Sequence, residues 1–129
     1  MAQILIIDDE VEERRMLQEI LTGAGHRVIT AADGRDGVRR FRAEPADLVI
    51  TDLFMPNQDG IETIMKLHKE APGIAIIAMS GRAISRTMLA IGKSLGAVGI
   101  LQKPYTPEEL FAVVDQALAE RPGVRTAVS

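Results

Sequence analysis

The 129 residues include no cysteine, no tryptophan, one tyrosine and three phenylalanines. Without a thiol there is no disulfide, no thiolate metal site and no cysteine nucleophile. The scarcity of aromatic rings argues against a flavin pocket, which needs rings over the isoalloxazine. Long apolar runs are missing too. The longest, Ile74 to Met79, is six residues, far below the ~20 needed to cross a bilayer. Nothing resembles a signal peptide, so the expected compartment is the cytoplasm and no membrane partner is expected. Basic residues do not dominate: 15 Lys and Arg stand against 18 Asp and Glu, for a net charge of -3 and a pI near 5.4. That balance argues against direct nucleic-acid binding, which usually needs a basic face. Arg35, Arg39, Arg40 and Arg42 therefore read as one solvated helix face. The two histidines, His26 and His68, have no acids spaced for a zinc site and read as surface or packing residues.

What is present is a globular composition, 47% hydrophobic and 26% charged, in a chain long enough for one domain with a sizeable core. Short apolar runs recur at Ile4–Ile7, Arg27–Ala31, Leu48–Thr51, Ile74–Met79 and Val98–Leu101. None alternates strictly between apolar and polar, the pattern of parallel strands buried on both faces. Helical stripes lie between them: Leu17, Ile20 and Leu21; Val38 and Phe41; Ile61, Ile64, Met65 and His68; and Leu89, Ala90 and Leu95, interrupted by Gly92. The last helix is announced by Thr106-Pro107-Glu108-Glu109, an N-cap, a proline at the first helical position and a capping-box glutamate. Leu110, Val113, Val114, Ala117 and Leu118 follow at helical spacing. Strand and helix thus alternate through the chain. This predicts an open α/β sheet, doubly wound, with helices on both faces and right-handed crossovers. The domain spans residues 1–120, and 121–129 form a short polar tail.

In such a sheet the ligand site lies at the carboxyl ends of the strands. Asp8 and Asp9 follow the first strand, Asp52 ends the third, Ser80 follows the fourth and Lys103 the fifth. Converging carboxylates repel, and at least one would have a raised pKa. A divalent cation relieves this, and an all-oxygen set without His or Cys suits Mg²⁺, with Mn²⁺ as the alternative ion. Asp8 and Asp9 also suit the first turn of a helix, as cap and dipole partners. With Asp52 and Lys103 in register the metal reading prevails. A metal, a carboxylate nucleophile, a hydroxyl donor and a fixed cation form a phosphoryl-transfer set.

The segments "ILIIDDE", "DLVITDLFMPNQDG", "IIAMSG" and "GILQKPY", in that order and at those strand ends, resemble the response-regulator receiver domain of two-component signalling. The resemblance covers residues 3 to about 120. It implies a flavodoxin-like fold with strand order 2-1-3-4-5. It implies Asp52 as phosphoacceptor, Asp9 as a direct Mg²⁺ ligand, Asp8 as a ligand directly or through water, and the main-chain carbonyl of Phe54 as a further one. Ser80 and Lys103 take the phosphoryl-sensing and charge-neutralising roles, and Phe54 and Arg82 flank the phosphoryl group. The Lys103–Pro104 bond is expected to be cis. The implied partners are a sensor histidine kinase or histidine phosphotransfer protein and a downstream protein target. The kinase is expected near the first helix and the Lys103–Thr106 loop, with Met16 and Pro104 as apolar contacts. Phosphorylation is expected to alter the face made by helix four, strand five and helix five. The state implied is a monomer or a weak phosphorylation-dependent dimer.

The chain departs from the family at the usual aromatic switch position, three residues before the lysine, where it carries Ile100. Isoleucine is stiff at its first side-chain torsion and has no hydroxyl. Tyr105 is the nearest aromatic on the output surface. A stand-alone regulator is the expectation, with the receiver part of a longer DNA-binding or enzymatic regulator as the alternative. No separate substrate turnover is expected. A haloacid-dehalogenase-like phosphohydrolase would need a second aspartate two residues beyond the nucleophile, where this chain has Phe54. A flavin carrier on the same fold would need a phosphate loop after strand one, where this chain has acids.

Overall fold

A computed structural model describes residues 2–53, 60–81 and 86–120. Strands and helices alternate as β1 (Gln3–Ile7), α1 (Val11–Gly23), β2 (Arg27–Ala31), α2 (Gly34–Ala43), β3 (Leu48–Asp52), α3 (Gly60–Glu70), β4 (Ala75–Ser80), α4 (Arg86–Ser94), β5 (Gly99–Gln102) and α5 (Pro107–Ala119). All four strand pairings are parallel, in the order β2-β1-β3-β4-β5. This is the doubly wound, flavodoxin-like arrangement expected, and the lengths of the elements agree with the sequence to within a residue at most strand ends.

The apolar strands form because they divide two cores between the faces of one sheet. Ile4 and Ile6 join Leu48, Ile50, Ile77 and Leu101 under α1 and α5, with Leu17, Leu21, Leu110 and Val114 closing that layer. Leu5 and Ile7 join Val49, Ile76 and Ala78 under α2 and α3, with Val38, Phe41, Ile64 and Leu67. Every side chain from Ile4 to Ile7 is fully buried, each contributing roughly 1.5–3 kcal/mol of transfer free energy. A central strand covered on both faces has no polar position, so its sequence does not alternate.

Two helical stripes differ from expectation. In α3 the inward residues are Gly60, Thr63, Ile64 and Leu67; Met65 is 51% exposed and His68 is also exposed. Leu67 and Thr63 displace them because the helix is rotated to seat Gly60 against β3. In α4, Gly92 is buried and Ala90 exposed. Among the described side-chain positions of α4, the glycine that weakens the helical signal is buried, with the side chain of Leu53 at 3.8 Å from where a Cβ would stand; the side chain of Leu89 lies outside the described ones. The α5 capping box is complete, Thr106 and Glu109 exchanging backbone and side-chain bonds at 2.8 and 3.1 Å.

His26 accepts a bond from the Ala2 N–H at 3.0 Å, a packing role as read from the sequence. Three of the four α2 arginines are in ion pairs. Asp36 pairs with both Arg39 and Arg40, and Arg42 pairs with Glu70 of α3. Among the described residues no helix is long and apolar enough to cross a membrane.

Candidate functional site

Parallel register sets the site. Ile7 is opposite Thr51, Thr51 opposite Ala78, and Ser80 opposite Gln102. Asp8 therefore leaves β1 beside Asp52 at the end of β3, and Lys103 leaves β5 just beyond Ser80. Strand alternation puts Asp8, Asp52 and Lys103 on the side of Ile6, Ile50 and Leu101, the α1–α5 layer. Ser80 alternates with Ile76 and Ala78, on the other side. Leu53 N–H donates to Met79 O at 3.0 Å and Lys103 N–H to Ser80 O at 2.7 Å, so the strand exits remain tied after the sheet ends.

The Lys103 ammonium donates to Asp52 Oδ2 at 2.9 Å and to Asp8 Oδ2 at 3.2 Å, and lies 3.9 Å from Glu10 Oε1. Carboxylate oxygens of Asp8, Asp9 and Asp52 all lie within 4.8 Å of one another. Asp8 is fully buried, Asp52 nearly so, and Asp9 exposed. Burial pushes the Asp8 carboxyl up to about 6 against the bond from Glu10 N–H and the charge of Lys103, and the neighbouring Asp52 adds to the rise. A raised acid at this site is the expected direction, but burial is its main cause and carboxylate repulsion the lesser one. Burial pulls the Lys103 ammonium down, but the bond and charge of Asp52, with Asp8 and Glu13, more than offset it and hold the lysine charged.

Asp8 and Asp9 do not cap α1. Glu10 occupies the N-cap and its side chain caps nothing. Asp8 is instead fixed by its neighbours: its N–H donates to Ala31 O at 3.1 Å, its Oδ1 accepts from Glu10 N–H at 2.9 Å, and its carbonyl accepts from Arg14 Nη1 at 2.6 Å. A carboxylate cluster of this composition, all oxygen and partly open to solvent through Asp9, can hold a hard divalent cation. Ser80 is fully buried and its Oγ has no hydrogen-bond partner among the described residues, unusual for a buried hydroxyl.

Gly60 supports Asp52 from α3. Its N–H donates to Leu53 O at 3.0 Å, and a Cβ there would stand 2.1 Å from Asp52 O and 2.5 Å from Leu53 Cα. Only glycine lets the helix start this close to the strand end. Thr51 Oγ1 donates to the same Asp52 carbonyl at 3.2 Å.

The Lys103–Pro104 bond is cis, as the family resemblance implies. Tyr105 turns back toward α1, where its hydroxyl donates to Glu13 Oε2. Burial and then the Glu13 carboxylate raise the phenol pKa strongly. Beside the acids lies an open depression of about 480 Å³, lined by Glu13, Met16, Gly81, Lys103, Pro104 and Tyr105. A second, of about 290 Å³, runs along β5 and α5 past Ile100, Leu101 and Val113, again with Tyr105 in its wall. Phe54, Asp59 and Arg82 lie outside the described residues, as do Met55, Pro56 and the tail 121–129.

The structure brings together Asp8, Asp9, Asp52 and Lys103. Ser80 stands one hydrogen bond away through the Lys103 backbone. Sequence reasoning passed over Glu10, Glu13 and Arg14, because a run of acids with an arginine reads as an ordinary first helical turn. No sequence pattern links Glu13 to Tyr105, 92 positions away.

Comparison with known proteins agrees with this geometry. The family model described as response regulator receiver domain matches residues 4–115, and the chain belongs to that family, the receiver domains of two-component systems. It is 37% identical over 128 residues to a probable transcriptional regulator, ycf27, of Cyanophora paradoxa, covering 96% of this chain and 52% of that protein. Its structure is similar to a receiver domain protein of Clostridium thermocellum (TM-score 0.86, 30% identity, 92% of this chain and 95% of that one). It is similar also to the Vibrio cholerae chemotaxis protein CheY4 (TM-score 0.85, 31% identity, 91% and 98%). The chain spans about half the length of the curated ycf27 relatives it matches.

Proposed function

We propose that this chain accepts a phosphoryl group from a phosphohistidine onto Asp52, with Mg²⁺ held beside it by Asp8, Asp9 and Asp52. One juxtaposition carries the reading: the Lys103 ammonium bonded to Asp52 at 2.9 Å, with two further carboxylates within ligand reach of the same oxygens. In the transfer an Asp52 carboxylate oxygen forms the new P–O bond. The histidine P–N bond breaks, and its electron pair stays on the imidazole nitrogen, which takes up a proton. A carboxylate nucleophile needs no separate base to activate it. Lys103 is placed to leave its Asp52 bond for a phosphoryl oxygen, and the Ser80 hydroxyl, unpartnered among the described residues, is the neutral donor available for another. The divalent ion supplies further neutralisation of phosphoryl charge when bound; Mn²⁺ suits the same oxygen donors.

The Phe54 carbonyl as a further metal ligand, and Phe54 and Arg82 as phosphoryl neighbours, follow from family membership alone. The same membership points to a cytoplasmic phosphoacceptor without separate substrate turnover. The partner is a histidine kinase or phosphotransfer protein, approaching the depression walled by Met16 and Pro104. The response is a shift in the α4–β5–α5 face around Ile100. The test is labelling by acetyl phosphate in the presence and absence of Mg²⁺. The wild type takes up one phosphoryl group only with the metal, and Asp52→Asn takes up none. Equal labelling of Asp52→Asn would remove the assignment.

A further inference from the structure

Tyr105 stands in the walls of both depressions, the one containing Lys103 and the one running past Ile100. Its hydroxyl is tied to Glu13 of α1, while its ring packs against the edge of the α1–α5 core. Only Pro104 separates it from Lys103, and a proline ring, with φ fixed near −65°, absorbs little rotation between its neighbours. Glu13 in turn acts on the charge of Lys103. Ile100, three residues before Lys103, lines the second depression together with Tyr105.

We propose that the Glu13–Tyr105 hydrogen bond is a latch between α1 and the segment after β5, and that phosphorylation of Asp52 opens it, freeing the Tyr105 ring toward the Ile100 groove. The inference rests on Asp52 being the phosphoacceptor. Phosphorylation replaces one carboxylate charge by a group carrying nearly two, with three strong acceptor oxygens. Lys103, now bonded to both Asp52 and Asp8, is drawn toward those oxygens, and the segment carrying Tyr105 follows it. The added negative charge also repels the Glu13 carboxylate. Tyr105 is thus a positioning residue that joins the acid site to the output face.

The chain offers its own reporter. With one tyrosine and no tryptophan, intrinsic emission near the tyrosine maximum comes from Tyr105 alone, and a phenol bonded to a carboxylate is quenched. Acetyl phosphate and Mg²⁺ are added to the wild type, and phosphoryl incorporation is read by intact mass in the same sample; the donor's P–O bond breaks and acetate leaves. The expected result is a rise in emission in step with incorporation. Glu13→Gln, which keeps an acceptor but loses the charge, is expected to start brighter and change little on labelling. Asp52→Asn is expected to stay dim. Incorporation into the wild type with unchanged emission overturns the latch and leaves the phosphoacceptor assignment standing. A Glu13→Gln protein as dim as the wild type, or a rise in Asp52→Asn, also overturns it. No incorporation at all removes both.

Discussion

Lys103 Nζ and Asp52 Oδ2 meet at 2.9 Å across 51 positions of sequence, and the same ammonium reaches the fully buried Asp8 at 3.2 Å. One cation holds two acids that would otherwise repel. Breaking a buried pair by removing one partner strands the other charge, and the cost is larger the less water reaches it.

Lys103→Met is therefore expected to destabilise the protein in a pH-dependent way. Without the ammonium the Asp8 pKa rises above its present value near 6. At pH 5 Asp8 is then protonated and the loss is small. At pH 7.5 the stranded carboxylates cost roughly 1–3 kcal/mol. Urea denaturation at the two pH values measures the difference; an equal loss at both would show that the lysine does not hold Asp8.

The Asp8 carboxyl carries its own pH signature in the metal-free protein. Its pKa rises from 3.8 unfolded to about 6 folded, so the folded state binds the extra proton between those values. Its contribution to stability is favourable at low pH and is lost as pH rises through that window, by about 3 kcal/mol at most. A divalent ion competes with that proton. Mg²⁺ affinity should therefore fall about tenfold from pH 7 to pH 5, with proton uptake by buffer on binding near pH 6, both read by calorimetry. A pH-independent affinity would exclude Asp8 from the ligand set.

Gly60 and Gly37 offer a contrast that separates main-chain from side-chain crowding. A Cβ at Gly60 meets Asp52 O at 2.1 Å and cannot move it without moving the acceptor residue. A Cβ at Gly37 meets side-chain atoms instead, Ile7 Cδ1 at 2.3 Å and Cγ1 at 2.7 Å, on a fully buried side chain. Gly60→Ala is expected to cost roughly 1–3 kcal/mol and to slow acetyl phosphate labelling well below what the stability loss explains. Gly37→Ala overpacks the core and is expected to cost a similar roughly 1–3 kcal/mol, but to label at the wild-type rate. Matching labelling rates in the two variants would argue against Gly60 as a support for Asp52.

The Ser80 hydroxyl is buried without a partner among the described residues, so its deletion removes a desolvated group rather than a bond. Ser80→Ala should leave the stability of the unphosphorylated protein unchanged or raise it by up to about 1–2 kcal/mol. The lifetime of the phosphorylated form should nevertheless change, because only there does the hydroxyl have an oxygen to meet. Thermal melts and a phosphate-release time course report the two separately.

The sheet and the acid cluster were legible because both follow from one-dimensional patterns. Fully apolar runs mark strands covered on two faces, and parallel topology gathers their last residues on one edge. Asp8, Asp9, Asp52 and Lys103 could be grouped on those grounds alone. Helix rotation was less legible. Periodicity placed Met65 and His68 inward on α3, but the close seat of Gly60 on Asp52 turns Thr63 and Leu67 to the core instead. In α4 the buried position among the described ones is a glycine, which carries no apolar signal. The Glu13–Tyr105 bond was illegible for a different reason. It joins residues 92 positions apart, one in a run of first-turn acids and the other following a proline, and no periodicity links them.

The central claim is that Asp52 receives the phosphoryl group. It is tested most directly by incubating the wild type with acetyl phosphate and Mg²⁺, reducing the acyl phosphate with borohydride, and locating the modified residue by peptide fragmentation. The account predicts reduction at Asp52 alone, dependent on the metal. Modification at another carboxylate, or none at Asp52 in a sample that has taken up phosphoryl groups, would contradict it.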